Sequence, residues 1–508
     1  MNKTFKTKWS SSRQQYIVTD EKHVFKGKAS KNTVTLAIAA VLAIASGTSA
    51  AAYVEKGVIG NQASWESAEY QKDWGLAAMN ASKAYSLGFS GQNVAVGVMD
   101  SGALLQKHPE LAGNRFHASS AQGKYGSTGN RYQTGVRGIG DVFKNGDYKE
   151  GESFNLDGNF IAEKNDTHGT HVTGTVGANR DGSEFHGVAW GANVYVGNSG
   201  GTDNTNYGPF QDYKYFHAAW SSLAQDLIAA NGTERGGVIN NSFGTNLRYG
   251  ASGSTSLPVN STAQTEYEYF LFKQVYGDKK TFVDAAWDAV KGTNVVQVFT
   301  TGNRDFANPY YRPLYPYFSP EAERNWIAVA GLQKDGVGTD GKDTYKWISN
   351  FNEAGNAKWW TIAAPGRGIY SSIVYDDHYE DTDALHPLGT PGYASYGGTS
   401  MAAPHVSGAM TVLMSRYQDM NAIQVRDILF TTARHTIIRT ALSSLVGLLK
   451  TVCLMFFTVG VRPTWIKACS VPANFWASSN TRLTTWTYGR TTSARRLSMH
   501  AKLKIRPG

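Results

Sequence analysis

The sequence predicts an α/β fold, a mostly parallel sheet flanked by helices, from two observations. The first is the run Asn93-Val94-Ala95-Val96-Gly97-Val98-Met99, apolar after its first residue and without alternation. A strand reads this way when both of its faces are covered, as in parallel sheets. The second is the recurrence of short apolar runs at Asn193–Val196, Val238–Asn241, Val295–Thr300, Trp326–Ala330 and Trp360–Ala363, with helical or loop segments between them. Strands alternating with helices define an α/β chain. Stretches rich in Gly, Asn and Tyr, near residues 115–160, 198–215, 245–265, 304–320 and 373–395, read as long loops.

In chain order, residues 1–52 read as an extended signal peptide. Lys22, Lys26, Lys28 and Lys31 precede an apolar run from Val34 to Ala45, and Ser49-Ala50-Ala51-Ala52 offers small residues for cleavage. The run is short for a bilayer span, and a permanent N-terminal anchor is the alternative. Residues 53–73 form a short lead-in. The helix-prone segment through residue 92 offers Trp74, Leu76, Ala84 and Leu87 as packing positions. Residues 53–433 show no internal repeat and no second domain with its own core. Near their end Val412-Leu413-Met414 continue one helix, and Ile423, Val425, Ile428 and Leu429 mark another.

The last segment, residues 434–508, is anomalous. It has twelve Lys/Arg and no acid, both cysteines of the chain (Cys453 and Cys469) and three tryptophans. Ala441–Val461 resembles a weak membrane span, with Lys450 costly at its centre. The segment reads as a reading-frame shift near Arg434 that leaves a poorly folded tail; a basic membrane-associating tail is the alternative. The net charge of +9 sits at the two ends, since residues 53–433 hold 29 basic and 38 acidic side chains. An acidic globular part removes the support for a nucleic-acid partner. With no cysteine before Cys453, an exported protein of this sequence depends on its core rather than on disulfides.

Three motifs carry chemistry. Gly397-Gly398-Thr399-Ser400-Met401-Ala402-Ala403-Pro404 places Ser400 at the mouth of a buried helix, where free N–H groups favour a developing oxyanion. Pro404 is expected near the helix start, where its missing N–H costs nothing. Asp166-Thr167-His168-Gly169-Thr170-His171 opens a helix of small residues with His168. No HExxH-type glutamate accompanies the two histidines, so His171 reads as a packed histidine rather than a metal ligand. Thr301-Gly302-Asn303 follows a strand; alone it is a turn, but beside a nucleophilic serine the Asn303 amide can donate to an oxyanion. Asp100-Ser101-Gly102 puts a carboxylate at a strand's carboxyl end, where open α/β sheets place their sites.

Together these blocks resemble the subtilisin-like serine proteases, in that family's Asp…His…Ser order, over about Trp74 to Ala433. The resemblance implies a three-layer α/β architecture and a serine endopeptidase acting on protein or peptide substrates as a monomer. Ser400 is then the nucleophile, His168 the base, Asp100 its orienting carboxylate and Asn303 an oxyanion donor. Asn241-Ser242-Phe243-Gly244 looks like the strand lining the substrate cleft, with Ser242, Phe243 and Gly244 pairing with substrate backbone. No cofactor is required. Structural calcium occurs in several subtilases, and Asp181 in Asn179-Arg180-Asp181-Gly182 is the candidate ligand, although a surface turn explains it as well.

The basic-fronted signal and the Tyr/Asn-rich loops further resemble the autotransporter branch of Gram-negative bacteria, which implies secretion or the cell surface. Three departures stand against it: little room for a propeptide between Tyr53 and Trp74, a long insertion between Asp100 and His168, and no segment fit to be an outer-membrane β-barrel. Two competing readings follow, a catalytically idle surface antigen or adhesion module and a non-functional truncated product. Intact Asp100, His168, Asn303 and Ser400 favour the protease.

Overall fold

A computed structural model describes residues 57–128, 148–162, 165–199, 212–243, 279–338, 341, 343–376, 380 and 382–433, with the backbone of four further strands, Phe5–Ser10, Gln15–Asp20, Arg434–Ile438 and Lys450–Leu454. The expected signal peptide lies outside the described residues except for its first two strands, which pair antiparallel.

A ten-stranded sheet organises the fold. Seven of its strands run β1 (Ala95–Asp100), β2 (Phe116–Ala118), β3 (Asn193–Asn198), β4 (Gly237–Asn241), β5 (Val295–Thr300), β6 (Trp326–Val337) and β7 (Thr361–Pro365) in chain order. In space the order is β7-β6-β5-β4-β1-β3-β2, parallel throughout. Asp343–Trp347 adds antiparallel to the far end of β6. Backbone strands Arg434–Ile438 and Lys450–Leu454 pair antiparallel, and the second meets β7 at Ala363 and Leu454.

Both faces of the sheet are covered, which is why its strands read as largely apolar runs without alternation. Side chains alternate across the pleat. Val96, Val98, Val196, Val296, Val298 and Val329 pack in one core with helices α1 (His168–Gly177), α5 (Thr399–Arg416) and α6 (Ala422–Thr432). Met99, Ile239, Phe299 and Trp326 enter a second core, with α2 (Tyr213–Asn231), α3 (Phe282–Asp288) and α4 (Tyr311–Phe318). The result is helix, sheet, helix: the three-layer arrangement expected.

The lead-in belongs to the first core. Trp65, Tyr70, Leu76 and Ala84 are buried, whereas Leu87 is 38% exposed. Two of the expected loops contain sheet. Ser120–Lys124 pairs with Ser153–Asp157, and Arg367–Val374 pairs with Pro391–Gly397 as an antiparallel ribbon lying on α1. Their strands are rich in Gly, Ser, Tyr and Asn, and most of Pro391–Gly397 is only partly buried, so no apolar run announced them. The 304–320 loop likewise holds α4, whose Pro313 and Pro316 mask it in the sequence.

Candidate active site

Asp100 closes β1, Ser242 follows β4 and Asn303 stands three residues beyond β5, so parallel neighbours deliver all three to the carboxyl edge of the sheet. His168 is the first residue of α1 and Ser400 the second of α5. These two helices pack against each other on one face of the sheet.

Asp100 and His168 meet directly. Asp100 Oδ1 lies 2.7 Å from His168 Nδ1 and also accepts a hydrogen bond from the Ser101 N–H at 2.8 Å; both side chains are buried. A ring nitrogen facing a carboxylate donates, so Nδ1 carries the proton and Nε2 is the basic nitrogen. The neighbouring Ser101 hydroxyl ties the two motifs together, donating to the Asp166 carbonyl and accepting from the Gly169 N–H at 2.9 Å. This approach needs the glycine. A Cβ on Gly169 would stand 2.1 Å from the Gly102 carbonyl oxygen. Behind the helix start, the Thr167 N–H donates to the Asp376 carboxylate at 2.6 Å and its hydroxyl accepts from the Val374 N–H.

His171 is a packed residue, as its surroundings in the sequence suggest. Its Nε2 faces the Ile369 and Ala394 carbonyls, and its ring stacks on Tyr396 at 4.4 Å. Burial, with the neighbouring His168 adding to it, pushes its pKa down to about 3. The ring is thereby engaged as a donor and kept neutral.

The serine end is set by Thr399 and Asn303. The Thr399 N–H and hydroxyl both donate to Asn303 Oδ1, at 2.9 and 3.0 Å, and the same hydroxyl accepts from the Gly302 N–H. With its oxygen held this way, the Asn303 amide presents its nitrogen as the donor, beside the Gly398–Ser400 turn. Gly302 has φ +118°, and a Cβ there would meet Tyr310 and Asn352. Asn352 in turn braces the loop, its Oδ1 accepting from the Arg304 N–H at 2.8 Å.

Pro404 is not where the sequence suggested. It is the sixth residue of α5, inside the helix, so its missing N–H would have bonded to the Ser400 carbonyl. The Ser242 hydroxyl donates to that carbonyl instead, at 2.8 Å. Ser242 and Phe243 are both buried, Phe243 stacking on Trp220. Gly244 lies outside the described residues.

At the Asp181 turn, the Asp181 and Gly182 N–H groups donate to Glu69 Oε1, and Asp181 Oδ1 accepts from the Ser183 N–H. Among the described residues no group of three or more His, Cys, Asp or Glu is placed to hold a metal. Close by, burial raises Glu69 to about 7 and Glu110 to about 9.

The motifs missed in the sequence are supporting ones: Ser101, Thr399, Asn240, and a buried pair in which His405 Nε2 contacts Asp73 Oδ2 at 2.9 Å.

A buried carboxylate–histidine pair and a helix-borne serine beside an asparagine, all at the carboxyl edge of a doubly covered parallel sheet, define a hydrolase-type site. Residues 91–449 match the subtilase family of peptidases, and the chain belongs to that family. The match runs past Ala433 into the basic segment. An extracellular serine protease of Serratia marcescens is 27% identical over 76% of this chain and 34% of its own length. Subtilisin DY of Bacillus licheniformis is 26% identical over 71% of the chain and 90% of its own. The autotransporter lipoprotein NalP of Neisseria meningitidis is 25% identical over 70% of the chain and 32% of its own. The chain therefore spans about a third of the length of the Serratia and Neisseria relatives it matches.

Proposed function

We propose that this chain is an exported serine endopeptidase that hydrolyses peptide bonds through an acyl-enzyme. The buried 2.7 Å contact between His168 Nδ1 and Asp100 Oδ1 carries the reading, because it fixes the imidazole tautomer that a general base needs. Ser400 Oγ attacks the scissile carbonyl while His168 Nε2 takes its proton, and the same nitrogen returns it to the leaving amine. Asp100 stabilises the imidazolium that forms between these steps. The Asn303 amide and the Ser400 N–H at the start of α5 receive the oxyanion. Substrate is an extended protein or peptide segment, pairing with the backbone of residues 242–244. The chemistry uses no cofactor.

Export is supported by the basic-fronted apolar segment before Ala52 and by relatives whose names place them outside the cell. The test is labelling of the secreted protein by a fluorophosphonate probe, with casein hydrolysis alongside and Ser400→Ala as control. Labelling and hydrolysis lost together in Ser400→Ala support the assignment. A Ser400→Ala protein that cleaves casein as fast as the parent refutes it, and a well-folded parent that neither labels nor cleaves supports the idle surface module instead.

A further inference from the structure

We infer that Ser242 is a positioning residue for the nucleophile, replacing the helical hydrogen bond that Pro404 deletes. The inference rests on Ser400 being that nucleophile. In α5 the carbonyl of Ser400 would ordinarily accept from the N–H of residue 404, and proline has none. This carbonyl belongs to the attacking residue itself. Left without its axial partner, the peptide unit that carries Ser400 would be free to tilt, and the nucleophile with it. The Ser242 hydroxyl donates to it from outside the helix at 2.8 Å, fully buried.

Ser242 does not act alone. Its oxygen accepts from Asn240 Nδ2 at 2.8 Å, and Asn240 Oδ1 accepts from the Ser407 hydroxyl at 3.0 Å. The chain of donors therefore starts on α5 at Ser407, crosses the end of β4, and returns to α5 at Ser400. All three supporting side chains are 0% exposed. Two anchor points seven residues apart lie on nearly one face of a helix, so the chain resists both rotation and sliding of α5 against β4. Asn240 and Ser242 each both donate and accept, which polarises the bonds in series.

The geometry makes a specific claim about Pro404: the serine at 242 matters because residue 404 is proline. A double-mutant cycle tests it, using Ser242→Ala, Pro404→Ala and the combination in the full chain. The readouts are kcat, KM and the fluorophosphonate labelling rate. Ser242→Ala should lower kcat and labelling about tenfold, with KM within about twofold, because one buried acceptor near the reacting atoms loses its partner. In the Pro404→Ala background, where a main-chain N–H is restored, the same substitution should cost at least about fivefold less. Effects that simply multiply in the double variant overturn the inference.

If Ser242→Ala does not fold, Ser242→Thr and Ser242→Val carry the comparison, since they match in size and differ in the hydroxyl. A Thr variant about tenfold faster than the Val variant supports the role, and equal rates overturn it. A parent that fails to label at Ser400 overturns the nucleophile assignment and this inference with it, whereas a labelled parent with a multiplicative cycle overturns only this one.

Discussion

Replacing Asp73 by alanine should destabilise the protein more than any other single change in the lead-in. Asp73 is 2% exposed, its Oδ2 contacts His405 Nε2 at 2.9 Å and its Oδ1 accepts from the Gly75 N–H at 2.8 Å. His405 Nδ1 faces the Met401 carbonyl at 2.7 Å, so both ring nitrogens are engaged by buried polar partners. The alanine therefore leaves a buried ring nitrogen without its carboxylate. Breaking one side of such a pair costs about 3–5 kcal/mol, and the lost cap on Gly75 adds about 1 kcal/mol. Against a margin of roughly 5–15 kcal/mol for a whole domain, this is a severe loss.

Urea unfolding followed by tryptophan fluorescence measures it, for Asp73→Ala, His405→Leu and the double variant. The double should lose clearly less than the sum, because the apolar replacement removes the stranded ring nitrogen. Gly75→Ala offers an independent route to the same damage, since its Cβ would lie 2.2 Å from His405 Nε2. A loss below about 1 kcal/mol in Asp73→Ala, or strict additivity with His405→Leu, would refute the reasoning.

Other expectations are quicker to state. Asn303→Asp keeps the oxygen that Thr399 holds but loses the amide donor, so kcat should fall about 10²–10³-fold with little change in KM; subtilisin is among the measured cases of this size. Gly169→Ala should abolish activity and lower the melting temperature, because its Cβ collides with the Gly102 carbonyl rather than with a side chain that can yield. Glu110 is raised from 4.5 to about 9, so the native state holds its proton longer than the unfolded state, and stability falls as pH rises across that window. Glu110→Gln should therefore gain on the parent progressively from about pH 4.5 to 9 in melts across pH, and a constant difference would contradict the burial assigned to it. His171, lowered to about 3 from 6.5, has the opposite slope: its native form resists protonation, so its contribution to stability is lost as pH falls below 6.5. Hydrogen exchange tests the proposal that residues 434–508 are frame-shifted; cooperative protection across Ala441–Arg506 would refute it.

Much of this protein was legible in one dimension because the relevant physics is local. A strand buried on both faces is mostly apolar, a polar member such as Gln297 needing buried partners of its own, so Ala95–Met99 and Val295–Phe299 declared themselves, and with them the parallel sheet. Asp100, His168 and Ser400 sit in short blocks whose small residues are demanded by close backbone approach, as the Gly169 contact with Gly102 shows. The ribbon of Arg367–Val374 and Pro391–Gly397 was not legible, since its strands gain burial from α1 and not from an apolar pattern of their own.

Nor could the chain alone say what Ser242 does. Its sequence context suits a substrate-lining strand. Its hydroxyl, however, is committed to a carbonyl 158 positions away, for a reason that lies in a third residue, Pro404. The Asp73–His405 pair spans 332 positions and obeys the same rule. Periodicity and turn chemistry report what a residue needs from its neighbours in the chain. The partner that satisfies a buried donor or acceptor is chosen by packing, and packing exists only once the sheet has brought distant segments together.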